Sequence, residues 1–255
     1  MRQTRGVTTR VGVVGVSGRI GSQACRAIEE APDLQLVAAV GRGDPLERLV
    51  EAGAQVAVEL TRPDAVMGNL RWCVEHGLHA VVGTSGFTSE RLDEVRRWLG
   101  RSPDVGVVVV PNFSVGAVLM MRFAEQAARF YESVEIVELH HAGKADAPSG
   151  TALRTAERVA AARARAGSGP APDATTDDPY GARGASIDGV HVHAVRLPGL
   201  VAHQEVLLGS VGELLTLRHD SFDRTSFMPG LLLAVREVPA RPGLTLGLEH
   251  LLDLG

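Results

Sequence analysis

The chain has 255 residues, 45% of them hydrophobic and only 4% aromatic, which suits one large α/β domain or two smaller ones. Its formal net charge of −4 argues against nucleic acid or an anionic membrane as the main partner. No run approaches the ~18 consecutive apolar residues of a membrane span, and residues 1–10 form a polar tail that lacks the apolar core of a signal peptide. We therefore expect a cytoplasmic protein. We also expect no metal site, because Cys25 and Cys73 lack metal-ligand spacing.

Strand-like and helix-like segments alternate through the first half of the chain. Apolar runs predict five strands, at residues 10–15, 34–40, 55–60, 79–83 and 105–110. Helical patterns lie between them, at residues 19–31, 63–77 and 89–100, with a weaker one at 45–52. This alternation indicates βαβ units and a parallel sheet whose valine-rich strands are covered on both faces.

A turn cluster at residues 111–116 separates this half from a differently organised second half, so we place a domain boundary near Ser114. A helix, a strand, a second helix and a Gly/Pro-rich loop follow, at residues 117–131, 134–139, 151–165 and 167–186. Strands at 190–197, 200–210 and 213–220 then predict an open sheet, and a last helix covers 226–237. An open sheet has edges and an uncovered face, which oligomerisation often hides.

A glycine-rich loop connects the first predicted strand to the first predicted helix. It comprises Gly15, Val16, Ser17, Gly18, Arg19, Ile20 and Gly21. In such a loop one glycine makes the tight turn, one lets the backbone approach a pyrophosphate, and one allows the helix to pack closely on the strand. Since the helix N-terminus then faces the phosphates, the loop favours dinucleotide binding. The alternative is a glycine-rich turn in an α/β fold that binds no nucleotide.

The end of the second predicted strand bears on which dinucleotide is used. Folds that prefer NAD place an acidic residue there, which accepts a hydrogen bond from the 2′-hydroxyl of the adenosine ribose. Here Gly41 occupies the expected place, and Arg42 beside it suits a 2′-phosphate, with Arg19 able to assist. We predict that NADPH is preferred and that NADH is the alternative, because Asp44 could fold back into the acidic role.

Two more segments follow predicted strands, at the sheet edge where ligands bind in open α/β folds. They are Gly83, Thr84 and Ser85 at the end of the fourth strand, and Val110, Pro111, Asn112 and Phe113 at the end of the fifth. Small residues there would let the nicotinamide end of the cofactor approach the backbone. Ordinary βα turns explain any one of these residues about equally well.

A strand in the second half leads into a loop that carries His140, His141 and Lys144 within five residues. A helix begins nearby, at Gly150 and Thr151. Two imidazoles that titrate near neutrality, one ammonium group and a helix N-terminus suit an enzyme that binds a carboxylate and hands its substrate a proton. A polar surface loop is the alternative, and the nucleotide loop of the same chain favours the enzyme.

Together these segments resemble dihydrodipicolinate reductase, an NAD(P)H-dependent enzyme family of bacterial lysine and diaminopimelate synthesis. The most specific of them is the run from Glu138 to Ala152, which reads E-L-H-H-A-G-K-A-D-A-P-S-G-T-A. The resemblance extends from about Arg10 to the C-terminus, and residues 193–196 and 199–206 look like the actinobacterial branch.

The resemblance implies an α/β fold with a Rossmann-like parallel-sheet domain over residues 1–114, to which 224–255 return. Residues 115–223 would form an α+β domain with an open mixed sheet, which binds substrate and builds a homotetramer. The implied reaction is the NAD(P)H-dependent reduction of 4-hydroxy-tetrahydrodipicolinate, by way of dihydrodipicolinate, to tetrahydrodipicolinate. The resemblance makes Lys144 the proton donor and His140 a proton donor and acceptor. Contacts to the dicarboxylate substrate would come from His141, Gly150 and Thr151.

Departures from the family pattern lie in the cofactor half. Ser17 and Arg19 stand where the family often has lysines, and Gly41 stands where it has its acidic ribose reader. At the end of the third strand, Glu59 and Leu60 replace the usual Asp-Phe pair. These changes leave room for a paralogous reductase of another cyclic imine carboxylate. A non-catalytic NADPH-binding protein is the other alternative, and the intact His140, Lys144, Gly150 and Thr151 argue against it.

Several polar residues of the second half are weaker candidates. Four histidines on predicted strands are expected to be sheet or subunit-interface residues: His191, His193, His203 and His219. Arg183, in the Gly/Pro-rich loop, is a lesser candidate for binding a substrate carboxylate.

Overall fold

The computed structural model describes residues 8–253, which form two compact units. One unit ends at Val115 and resumes at Phe227, and the other spans Gly116–Ser226. Of the tail predicted over residues 1–10, residues 1–7 lie outside the described range. Thr9 and Arg10 belong to the first strand, so the predicted tail was too long at its C-terminal end.

The first unit begins with alternating strands and helices. They are β1 (Thr9–Val14), α1 (Arg19–Glu30), β2 (Leu34–Val40), α2 (Glu47–Glu51), β3 (Val56–Glu59), α3 (Val66–Glu75), β4 (His79–Val82), α4 (Ser89–Leu99) and β5 (Gly106–Val109). Every residue of β3 and β5 is buried, as expected for parallel strands with helices on both faces. Helix α1 buries Gly21, Ala24 and Ile28, whose spacing of three and four residues forms a stripe on one helix face.

The second unit contains α5 (Val115–Ala127, whose first residue belongs to the first unit), β6 (Ser133–His140), α6 (Gly150–Arg165), β7 (Ala185–Ile187), β8 (Val190–Arg196), β9 (Ala202–Ser210) and β10 (Glu213–Ser221). Its sheet has the order β10-β9-β6-β8-β7. The β6–β8 pair is parallel and the other pairs are antiparallel, which confirms the predicted mixed sheet.

Helix α6 covers one face of this sheet. The core beneath it includes Ala156 and Val159 of the helix and Ile136, Val206 and Leu208 of the sheet. Residues of the opposite parity, such as Leu214 on β10 (65% exposed) and Val195 on β8 (37% exposed), lie on the uncovered face. The second sheet is therefore open on one side.

The chain then returns to the first unit with α7 (Met228–Glu237) and β11 (Gly243–Leu246). Strand β11 pairs in parallel with β5 and gives a six-stranded parallel sheet of order β11-β5-β4-β3-β1-β2. The sequence did not predict this sixth strand, because the four residues between Pro242 and Gly247 form a strand only through their pairing with β5. The strand order reverses between β2-β1 and β3-β4-β5, and such a reversal opens a crevice at the carboxyl ends of β1 and β3.

The predicted fold class is confirmed: an α/β unit with a Rossmann-like parallel sheet and a second unit with a mixed sheet. Among residues 8–253, no helix combines the length and apolarity that crossing a membrane requires.

Candidate active site

The glycine-rich loop between β1 and α1 has no room for side chains at two of its positions. Gly15 has a φ of +94°, and a Cβ there would lie 2.6 Å from the carbonyl oxygen of Leu60. A Cβ on Gly21 would lie 2.2 Å from the carbonyl oxygen of Gly15. Helix α1 therefore begins pressed against the loop, and its N-cap, Gly18, has no side chain to occupy the first N–H groups. This arrangement suits a pyrophosphate.

The turn after β2 brings the carboxylate of Asp44 to the end of that strand. The backbone N–H of Gly41 donates to Oδ2 of Asp44 at 2.8 Å, and a Cβ on Gly41 would lie 3.3 Å from that oxygen. Asp44 also pairs with Arg48 at 3.2 Å. Arg42 is exposed in the same turn. The carboxylate and the arginine considered in the sequence thus both lie at the end of β2.

A cavity of about 320 Å³ opens at the carboxyl ends of the strands in the first unit. Eight predicted cofactor residues line it: Ile20, Gly83, Thr84, Ser85, Val110, Pro111, Asn112 and Phe113. The other seven do not: Gly15, Val16, Ser17, Gly18, Arg19, Gly21 and Arg42. Four further lining residues were missed from the sequence: Leu60, Thr61, Pro63 and Phe227.

A buried carboxylate organises the wall of this cavity. Glu59, fully buried at the end of β3, accepts hydrogen bonds from the hydroxyl of Thr84 at 2.6 Å and from that of Thr61. The side-chain amide of Asn69 donates to the same carboxylate at 3.0 Å. Glu59 was noted in the sequence only as a departure from the family pattern, and its two threonine partners place it behind the cavity.

The loop after β6 holds the predicted catalytic residues. Strand β6 ends at His140, and a turn closed by the Lys144 N–H to the His141 carbonyl at 3.1 Å follows. His141 is therefore outside the strand and exposed, whereas the side chain of Lys144 is 20% exposed. Lys144 Nζ donates to both oxygens of Asp146, at 2.7 and 2.9 Å. Hydrogen bonds from Lys144 and from the backbone of Gly150 help to hold the pKa of the Asp146 carboxyl below its usual range.

Lys144 is the only lysine in the sequence, since every other residue among its 26 lysines and arginines is an arginine. An arginine carries the same charge but does not lose its proton in proteins, whereas a lysine can. The single lysine is therefore a sequence signal for proton transfer at residue 144.

A second buried carboxylate, also missed from the sequence, lies beside His140. Glu138 is fully buried and accepts from Nδ1 of His140 at 2.6 Å. Arg196 on β8 donates to both of its oxygens, at 2.8 and 2.7 Å. The backbone N–H of Ser149 donates to Oε1 at 3.0 Å. The available signal was the spacing, because residues two apart on a strand share one face.

Two opposing influences set the ionisation of this pair. Burial opposes ionisation of Glu138, but hydrogen bonds from Arg196 and His140 hold the pKa of its carboxyl below the usual range. Burial, with the charges of Lys144 and Arg196, lowers the pKa of the His140 imidazole and outweighs the opposite effect of Glu138. A neutral imidazole next to an ionised carboxylate must carry its proton on Nδ1.

The start of α6 adjoins the same network. The side chain of Ser149 caps the helix by accepting from the N–H of Ala152 at 3.1 Å. A Cβ on Gly150 would meet nothing within 4 Å, so the first turn is open at this position. His140, His141, Lys144, Gly150 and Thr151 thus belong to one strand–loop–helix segment of the second unit.

The remaining polar candidates lie within the second sheet and its loop. His193 contacts Glu135 at 2.8 Å, His203 contacts Asp220 at 2.7 Å, and His191 contacts the carbonyl of Arg183 at 2.7 Å. Arg183 itself pairs with Glu135 and with Asp173, the latter at 3.1 Å. It therefore neutralises carboxylates of its own chain. In residues 8–253 there is no cluster of three or more His, Cys, Asp or Glu that could hold a metal.

Comparisons with known proteins follow the same division of the chain. The model of the dihydrodipicolinate reductase N-terminus matches residues 9–113, and that of the C-terminus matches residues 116–252. The chain is 65% identical to a 4-hydroxy-tetrahydrodipicolinate reductase of Streptomyces griseus, over 96% of this chain and 98% of the relative. It is 63% identical to the enzyme of the same name from Nocardia farcinica, over 97% of this chain and 100% of the relative.

A solved structure agrees with these matches. The dipicolinate-bound dihydrodipicolinate reductase from Paenisporosarcina sp. TG-14 superimposes with a TM-score of 0.86 at 37% identity. The match covers 96% of this chain and 100% of that one. Because both family models match in order over nearly its whole length, this chain belongs to the dihydrodipicolinate reductase family of oxidoreductases.

Proposed function

We propose that this protein reduces 4-hydroxy-tetrahydrodipicolinate, by way of dihydrodipicolinate, to tetrahydrodipicolinate with NAD(P)H, in the lysine and diaminopimelate pathway of the cytoplasm. The observation that carries the proposal is the segment from His140 to Thr151, where an imidazole, an ammonium group and an open helix start lie together. The 65% identity to a curated reductase favours this function over another imine reductase or a non-catalytic binding protein.

The nucleotide would bind to the first unit. The glycine loop fits its pyrophosphate, because the backbone at Gly15 and Gly21 leaves no room for side chains and the N-cap of α1, Gly18, has no side chain to occupy the first N–H groups. Ile20 and the residues that follow β4 and β5 would hold the nicotinamide end in the 320 Å³ cavity. When bound, the reduced nicotinamide supplies the hydride.

The second unit would supply the proton and the carboxylate contacts. Lys144 donates a proton to the substrate, while the neutral imidazole of His140 presents Nε2 as a hydrogen-bond and proton acceptor. His141 and the backbone N–H groups of Gly150 and Thr151 bind a substrate carboxylate. Asp146 supports this assignment, because its own carboxylate already accepts from Lys144 and Gly150.

Product identity tests the proposal. The substrate would be generated in place by dihydrodipicolinate synthase from pyruvate and aspartate semialdehyde, and the products analysed by mass spectrometry. We expect NADPH-dependent tetrahydrodipicolinate, heavier than dihydrodipicolinate by two hydrogen atoms. If the protein binds NADPH but leaves this substrate unreduced, another cyclic imine carboxylate becomes the better hypothesis.

We further propose that NADPH is preferred and that NADH is also accepted. Arg42 suits the 2′-phosphate, whereas the Asp44 carboxylate, which accepts from Gly41, suits the 2′-hydroxyl of NADH. Arg42→Ala should weaken NADPH binding about tenfold, the loss of roughly one charge-assisted hydrogen bond, and leave NADH binding unchanged.

Calorimetric titration of the protein with each nucleotide measures this difference without turnover. Arg101→Ala is the matched control, since Arg101 is exposed but precedes β5 at the amino end of the sheet. Equal weakening of both nucleotides in the Arg42 variant, or no change in either, would contradict the assignment.

We propose that the protein is a homotetramer whose subunits associate through the uncovered face of the second sheet. Leu214 and Val195 on that face remain exposed in the single chain. Leu214→Asp should lower the mass measured by sedimentation below that of four chains. Val50→Asp, at an exposed residue of α2, should not. A wild-type monomer would refute the proposal.

A further inference from the structure

Two triads, each made of a glutamate, a histidine and an arginine, lie on opposite faces of β6. Glu138, His140 and Arg196 form one, and Glu135, His193 and Arg183 form the other. Glu138 is fully buried, whereas the side chain of Glu135 is 31% exposed. Only the buried triad includes a predicted catalytic residue, and its carboxylate accepts from the N–H of Ser149 at the start of α6.

We propose that Glu138 is a positioning residue for the reduction, which holds His140 in the Nδ1–H tautomer so that Nε2 offers its lone pair to the substrate. The inference rests on the proposed function. Glu138 does not touch the reacting atoms, because both of its oxygens are occupied by His140, Arg196 and Ser149. It acts through the imidazole that it orients.

The charges around the pair explain why the imidazole is oriented without becoming cationic. The bidentate contact with Arg196 neutralises Glu138, and Arg196 is held in place by the carbonyl of Asp146 at 2.6 Å. Lys144 adds another positive charge nearby, which also opposes protonation of His140. A carboxylate without Arg196 would favour the imidazolium, whereas the compensated carboxylate mainly selects the tautomer.

Glu138 also fixes the part of the loop that would bind a carboxylate of the substrate. Its hydrogen bond from the Ser149 N–H fixes the position of the residue that caps α6. One buried carboxylate therefore positions both His140 and the first turn of α6, which includes the Gly150 N–H. Loss of Glu138 should therefore disturb the imidazole directly and the helix start through Ser149.

The test is the tautomer of His140 in the free protein, read from the ring ¹⁵N signals of imidazole-labelled protein. In the wild type, above the imidazole pKa, we expect protonated Nδ1 and unprotonated Nε2. Glu138→Gln should shift the ring toward Nε2–H and lower kcat by at least about tenfold, a part of the ~10²–10⁴ that general acid–base catalysis supplies. The KM for NADPH should be unchanged, and Glu135→Gln should alter neither the His140 signals nor kcat.

Removal of Glu138 alone leaves the Arg196 cation without its partner, which threatens folding. The double variant Glu138→Gln with Arg196→Met removes that charge and should show the same shift in tautomer. Protonated Nε2 in the wild type, or an unchanged tautomer and kcat in folded Glu138 variants, would overturn the inference. Wild-type protein that has the expected tautomer but no turnover would instead count against the proposed function.

Discussion

Replacement of Lys144 by arginine is expected to lower kcat by ~10²–10⁴-fold, the contribution of general acid–base catalysis, although the charge at this position is retained. A guanidinium can hold Asp146 or a substrate carboxylate, but it does not give up a proton in proteins. We therefore expect Lys144→Arg to be about as inactive as Lys144→Ala, with a smaller change in substrate KM.

Steady-state kinetics of the two variants beside the wild type measures this effect. Arg218→Lys is a suitable control, because it makes the reverse exchange in an exposed ion pair of β10. An arginine variant that retains kcat to within about tenfold would show that Lys144 acts as a binding charge and not as the general acid.

A single methyl group on Gly21 should have the second large effect. Its Cβ would lie 2.2 Å from the Gly15 oxygen, which is a backbone atom and cannot turn aside as a flexible side chain would. We expect Gly21→Ala to lower the free energy of unfolding by about 1–3 kcal/mol, as overpacking does, and to weaken binding of both nucleotides because the loop must shift. Denaturant titration and nucleotide calorimetry measure the two effects.

Gly68→Ala provides the matched control for this change. Gly68 also lies in a helix of the first unit, α3, but a Cβ there would meet nothing within 4 Å. Alanine should stabilise that helix by up to about 1 kcal/mol and leave nucleotide binding unchanged. Similar behaviour of the two variants would mean that the close packing at Gly21 is unimportant.

Sequence reasoning predicted the elements whose signal is local. The glycine loop and the histidine–lysine loop each occupy one strand-to-helix connection, so neighbouring residues reveal them. Strand β11 could not be seen in this way, since it depends on pairing with β5 across 130 or more residues of chain. The order of the strands in both sheets likewise depends on contacts between distant segments.

The two buried carboxylates show which features of the site the sequence could not predict. Glu59 ends an otherwise apolar strand, and Glu138 continues the buried face of β6 after Val134 and Ile136. A buried charge at either position is stable only with partners. That rule flags both residues, but the partners Thr84, Arg196 and Ser149 lie 11 to 58 residues away. The sequence could have indicated that these residues matter, and only the fold identifies the side chains that they hold.

The most direct test of the reductase assignment is the rate at which the wild-type protein oxidises NADPH, and then NADH, in the presence of freshly generated 4-hydroxy-tetrahydrodipicolinate. We expect substrate-dependent loss of the reduced nicotinamide absorbance with both, faster with NADPH, and none when dihydrodipicolinate synthase is omitted. Absence of substrate-dependent oxidation with either nucleotide, in protein that binds NADPH, would contradict the account.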